Sequence, residues 1–89
     1  MKICIGRVTH FYNRISVAAL ELDDQLNIGD TVVLLGHTTD FTQEVTSMEI
    51  EHHKILSGGP GMEVALRVDE PVRKGDEVLK VIESETTNA

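Results

Sequence analysis

The stretch Met62-Glu63-Val64-Ala65-Leu66-Arg67-Val68-Asp69 decides the fold class. Met62, Val64, Leu66 and Val68 alternate with Glu63, Ala65, Arg67 and Asp69. A period of two sends the first set to one face of a β-strand and the second to the other, so residues 62–68 are predicted as a strand with a core face and a solvent face. Five more runs of strand length flank it, at residues 3–10, 14–22, 31–35, 43–52 and 78–82. Glycines at 6, 29, 36, 58, 59, 61 and 75 punctuate these runs, as turns between short strands require. Val, Ile and Thr number 10, 7 and 8 against 4 Ala. Stiff β-branched side chains suit a pleated surface, whereas Ala is the best helix former. The expected class is all-β: a small closed six-stranded β-barrel, whose closure removes exposed strand edges. An open sandwich is the alternative.

Two details sharpen this expectation. Val45 is odd in the fourth run while Met48 and Ile50 are even. All three reach one core only if an extra residue is inserted, which predicts a β-bulge near Thr46-Ser47. The string Gly-Asp-x-Val occurs at Gly29-Asp30-Thr31-Val32 and again at Gly75-Asp76-Glu77-Val78. Glycine takes the positive φ of a tight turn and Asp bonds nearby amides, so the echo predicts one turn chemistry used twice.

The chain has 89 residues, 15 acidic and 8 basic, for a net charge of −7. One domain over residues 1–82 is expected, with a flexible acidic tail at 83–89. This size excludes a large enzyme with its own cofactor domain. The acidic balance argues against non-specific DNA or RNA binding, which needs clustered Lys and Arg. The single cysteine, Cys4, excludes an intrachain disulfide and favours a cytoplasmic location; it is expected to be a small buried apolar residue. No run approaches the roughly 18 apolar residues of a membrane span, and no membrane partner is expected.

Candidate chemistry is sparse. His10, His37, His52 and His53 lack metal-ligand spacing, and the adjacent pair would point to opposite strand faces, so no metal or other cofactor is expected. Glu49 and Glu51 share strand parity but read as a solvated face. The polar loop His37, Thr38, Thr39, Asp40, Phe41 and Gln43 is the first candidate for partner binding, because loops carry much recognition. The competing reading is a self-bonded turn with Phe41 plugging one barrel end. Arg67, Arg73 and Lys74 form a modest basic patch and are the second candidate. Phe11-Tyr12, between Arg7 and Arg14, is the one basic–aromatic cluster, a thin basis for stacking on nucleic-acid bases.

Taken in order, several motifs carry a family resemblance. They are Ile5-Gly6-Arg7-Val8-Thr9-His10, Leu26-x-x-Gly29-Asp30-x-Val32, Gly36-His37-Thr38-Thr39-Asp40-Phe41, Gly61-x-x-Val64-x-Leu66-x-Val68 and Val72-Arg73-x-Gly75-Asp76-x-Val78. The chain resembles small translation elongation factor-like proteins, similar to the β-barrel second domain of translational GTPases such as elongation factor Tu. A similar barrel ends collagenase-like peptidases as an accessory domain, and the segment 60–76 resembles that version about as well. The resemblance implies a non-catalytic binding module that docks on a protein or on structured RNA such as the ribosome or tRNA. No Gly-x-x-x-x-Gly-Lys-Ser/Thr loop is present, so neither GTP binding nor enzymatic activity is carried over. The alternative is an accessory protein-interaction subunit of a separately encoded collagenase-like peptidase or RNA-modifying enzyme.

Overall fold

The alternation that decides the class is realised in the strand Glu63–Arg67, where Val64 and Leu66 are buried while Glu63 and Arg67 are exposed. The computed structural model describes residues 1–82; the tail expected at 83–89 lies outside the described residues. Ten strands and no helix make up the described chain: β1 Lys2–Tyr12, β2 Val17–Leu22, β3 Leu26–Asn27, β4 Thr31–Leu35, β5 Asp40–Glu44, β6 Met48–Ile50, β7 His53–Ile55, β8 Ser57–Gly58, β9 Glu63–Arg67 and β10 Glu77–Val81. No helix among the described residues is long and apolar enough to cross a membrane. The all-β class follows directly.

Eight strands form one antiparallel sheet in the order β5-β4-β10-β1-β2-β9-β6-β7, and β3 pairs with β8 in a second small sheet. The large sheet curls around a single core that includes Ile5, Leu20, Leu22, Val32, Leu34, Met48, Leu66 and Val78. Leu26, on β3, is fully buried and joins the second sheet to that core.

The expectation of a closed six-stranded barrel is corrected: the ladder is open. After β2, β9 gives its other edge to β6, through Met48 opposite Leu66 and Glu49 opposite Ala65. That edge is therefore occupied where β5 would have to pair to complete a ring. A side chain spans the seam instead. The buried Gln43 on β5 donates from Nε2 to the Arg67 carbonyl at 2.8 Å and accepts at Oε1 from the Asp69 amide at 2.7 Å. These two backbone groups flank Val68 and are the pair a neighbouring strand would satisfy, so one carboxamide replaces one step of a ladder.

The fourth run also differs. Residues 43–52 are not one bulged strand. Glu44 ends β5, Met48 begins β6, and Val45–Ser47 belong to neither. The parity break is real, since Val45 and Met48 are both buried, but a crossing between opposite edges of the sheet absorbs it. Val45 is held there by backbone bonds to Gly29 and Asp30, each 2.8 Å. Register shifts fall on β1 instead, between Cys4 and Gly6 against β10 and between Val8 and His10 against β2. The first corrects the expectation for Cys4. It lets odd-numbered Ile5 and even-numbered Val8 share the core and leaves Cys4 exposed.

The repeated Gly-Asp turn is present at both positions. Gly29 and Gly75 each have φ of 95°. Asp30 accepts from the Asn27 amide and Asp76 from the Arg73 amide, both at 2.8 Å. Each carboxylate thus ties its turn to the strand that follows.

Candidate functional site

The residues singled out from the sequence separate into groups. His37 and Thr38 form the exposed tip of the β4–β5 hairpin, closed by Gly36 and Thr39 through backbone bonds of 2.7 and 3.4 Å. Thr39 is buried, Asp40 exposed, and Phe41 half-buried against the core. Arg73 and Lys74 stand exposed on the neighbouring Gly-Asp turn; Gly36 approaches the Asp76 carboxylate so closely that a Cβ on Gly36 would strike it. The structure therefore brings the His37-Thr38 tip beside Arg73-Lys74. Arg67 lies apart, opposite Val17 at the end of β9. Gln43 is committed to the seam.

A different surface has the shape of a site. On the outer face of the sheet, Ala19 on β2 lies directly opposite Ala65 on β9, which lies opposite Glu49 on β6. The two methyl groups leave a trough between taller walls. Tyr12 and Ile15 rise on the β1–β2 side, and Glu49, Ile50, Glu51 and His52 rise on the β6–β7 side. Tyr12 and Ile15 are 49% and 62% exposed, so both present apolar surface beside the trough. The cleft is open, with a volume of about 860 Å³. Its walls stand on strands three spacings apart, about 14 Å, enough for one extended chain to lie between them.

Backbone strain gathers at the same place. Among the described residues the non-glycine positions with positive φ are Ser16 at 56°, Glu51 at 49° and His52 at 68°. Ser16 lies between the lining residues Ile15 and Val17, and Glu51 and His52 are lining residues themselves. With Ile50 paired to His53, Glu51 and His52 are the two loop residues of a tight hairpin. That turn needs positive φ at both positions and favours Asn-Gly. Glu-His is strained there and sets two polar side chains on the rim, and strained backbone clusters at functional sites. Replacing Glu51-His52 by Asn-Gly is expected to stabilise the fold by about 1–2 kcal/mol, read as a rise in Tm of roughly 4–8 °C per kcal/mol. A fall in Tm would show that the two side chains contribute more than the strain costs.

The rim is acidic. Glu49, Glu51 and Glu63 line the trough, and no Lys or Arg does. Glu63 accepts a hydrogen bond from Thr9 Oγ1 at 2.7 Å. The His10 ring packs against Tyr12 at a tilt of 58°, with ring centroids 4.2 Å apart. Tyr12 faces the trough while Phe11 packs against the core, so the two aromatics do not form one platform. His52 lies in the turn and His53 on β7, so they do not alternate along one strand. Among the described residues no three His, Cys, Asp or Glu side chains converge as a metal-holding group.

Sequence reasoning missed this trough because it assigned Ala65 to plain solvent. The available signal was Ala19 and Ala65, both on the outward parity of their strands, where charged residues are the norm. Facing alanines there leave a depression that is half-buried on both sides.

A scan against protein-family models finds no match. An uncharacterised protease of Methanocaldococcus jannaschii is 42% identical over 84 residues, covering 93% of this chain and 21% of the protease. The chain thus spans about a fifth of the length of that relative. The crystal structure of the C-terminal domain of a Geobacillus thermoleovorans protein described as a U32 peptidase matches with a TM-score of 0.84 at 19% identity, over 90% of this chain and 93% of that one. The fold is that of a U32 peptidase C-terminal domain. The selenomethionine variant of that domain matches at 0.81 and 18% identity, over 88% of this chain and 98% of its own. Of the two resemblances read in the sequence, these matches support the collagenase-like accessory domain. They do not support the elongation factor Tu domain.

Proposed function

We propose that this chain is a non-catalytic accessory domain that docks on the catalytic part of a collagenase-like peptidase. The observation that carries the reading is the 42% identity to one segment of a larger protease, spread over 93% of this chain. The fold shared with a U32 peptidase C-terminal domain supports the same role. A net charge of −7 suits a protein partner better than bare nucleic acid. In this reading the U32-type fold supplies shape and contact surface, and the reacting groups belong to the partner.

The test is association in trans. The catalytic region of the collagenase-like peptidase from the same source, purified separately, is expected to bind this chain with a Kd of about 1 μM or tighter by titration calorimetry. Absence of heat and of co-elution at roughly 100 μM, far above that value, would overturn the proposal. A parallel titration with total tRNA is expected to give no shift at moderate salt. A shift there, with none for the peptidase, would favour the structured-RNA reading.

A further inference from the structure

We infer that the trough between Tyr12 and Glu49 is a peptide-binding groove that takes an extended segment carrying an apolar side chain flanked by Lys or Arg. The inference rests on the docking role proposed above and specifies the chemistry of what docks.

Three independent features lead to it. The floor is apolar and low. Val17, Ala19 and Ala65 are each half-buried, and their small side chains leave room for a partner's side chain between Tyr12 and Ile50. Burial of the exposed parts of Tyr12 and Ile15 would supply the apolar part of the binding energy. The rim carries Glu49, Glu51 and Glu63, and Arg7–Glu21 is the one salt bridge among the described residues. None of the three rim carboxylates is ion-paired, Glu63 holding only the hydrogen bond from Thr9, and charge complementarity with a cationic segment selects the partner and speeds encounter. Lys54, opposite Glu49 on β7, and Arg67, opposite Val17, stand outside the lining. Arg67 marks one end of the trough, so a bound segment would keep its cations toward Glu49 and Glu63. Finally, all three strained non-glycine residues among those described border this trough. Glu51 and His52 are the loop of a tight hairpin held by the β6–β7 pairing, so this part of the rim has little to order on binding.

The test uses a random peptide library displayed on phage, selected on the immobilised chain, followed by fluorescence anisotropy with the enriched peptide in synthetic form. Enriched peptides are expected to combine Lys or Arg with Leu, Ile, Val or an aromatic residue. Their affinity is expected to fall at least about tenfold in Ala65→Arg, which fills and repels at the floor, and about threefold or more in Glu51→Lys. Raising salt is expected to weaken binding. Glu51 is exposed on a turn, so its variant keeps the test valid should Ala65→Arg fold poorly. No enrichment, enrichment of acidic peptides, or affinity indifferent to both variants would overturn the groove. The peptidase titration is separate from this selection. Peptidase binding unchanged by Glu51→Lys and Ala65→Arg would place docking on another face, and peptide binding without peptidase binding would leave the groove intact while removing the accessory reading.

Discussion

Gly6→Ala is expected to lower the stability of the fold by about 3 kcal/mol or more, within the upper range for single substitutions. Gly6 sits in the middle of β1, paired to Val78 on one side and Leu22 on the other. A Cβ built on it would overlap the Glu21 carbonyl oxygen and lie 3.2 Å from the Leu22 Cα. These are backbone atoms of the adjacent strand. They cannot swing aside without pulling β2 from β1, beside the register shift between Cys4 and Gly6 that turns Ile5 into the core. Gly58 makes an instructive contrast, because its added Cβ would meet Leu22 Cδ1 at 3.0 Å and Val64 Cγ1 at 3.2 Å. Those are side-chain rather than backbone atoms, and they need shift by only a few tenths of an ångström. At Gly59 only the Gln25 side chain comes near, at 3.8 Å, so Gly59→Ala serves as the control. Urea unfolding followed by circular dichroism measures all three. A loss below about 1 kcal/mol for Gly6→Ala would mean that β1 and β2 yield at this point, contrary to a tightly closed pair.

How much of this was legible in the sequence can be judged strand by strand. Period-two alternation placed β9, because burial on one face leaves a direct trace in residue type; the run at residues 31–35 coincides with β4, where Val32, Val33 and Leu34 are all buried and an unbroken apolar run marks the strand. The Gly-Asp echo named both turns because positive φ and an amide-binding carboxylate are local demands. Pairing between distant edges leaves no such trace. Val45 and Met48 are both buried whether a strand bulges or breaks, so parity alone could not separate the two. The short strands β3, β7 and β8 were missed because two or three residues carry no period. Cys4 was misplaced because a register shift one residue later reverses parity. The trough was overlooked for a related reason: Ala19 and Ala65 are each unremarkable, and their meaning arises only when β2 and β9 set them opposite one another.

Gln43 shows how a polar residue in an apparent recognition loop can belong to the architecture. Gln43→Met is expected to cost about 2–4 kcal/mol, since it keeps the length of the side chain but strands the Arg67 carbonyl and the Asp69 amide without partners, each an unsatisfied group of about 1–3 kcal/mol. Gln43→Glu is also expected to destabilise, because a carboxylate still accepts from Asp69 but faces the Arg67 carbonyl oxygen with a second acceptor. Hydrogen exchange at the Asp69 amide should accelerate in Gln43→Met, well beyond that at amides in the β1–β2 ladder. With the seam open, the β5 edge loses both carboxamide bonds that tie it to the β9 end, and an exposed edge recruits other chains; sedimentation should then report concentration-dependent association. Unchanged stability together with weakened partner binding would reverse the assignment and return Gln43 to a recognition surface. Lower stability with the peptide affinity of the folded protein unchanged would instead separate the two roles: Gln43 holds the sheet in its curl, and the opposite face of that sheet presents the trough.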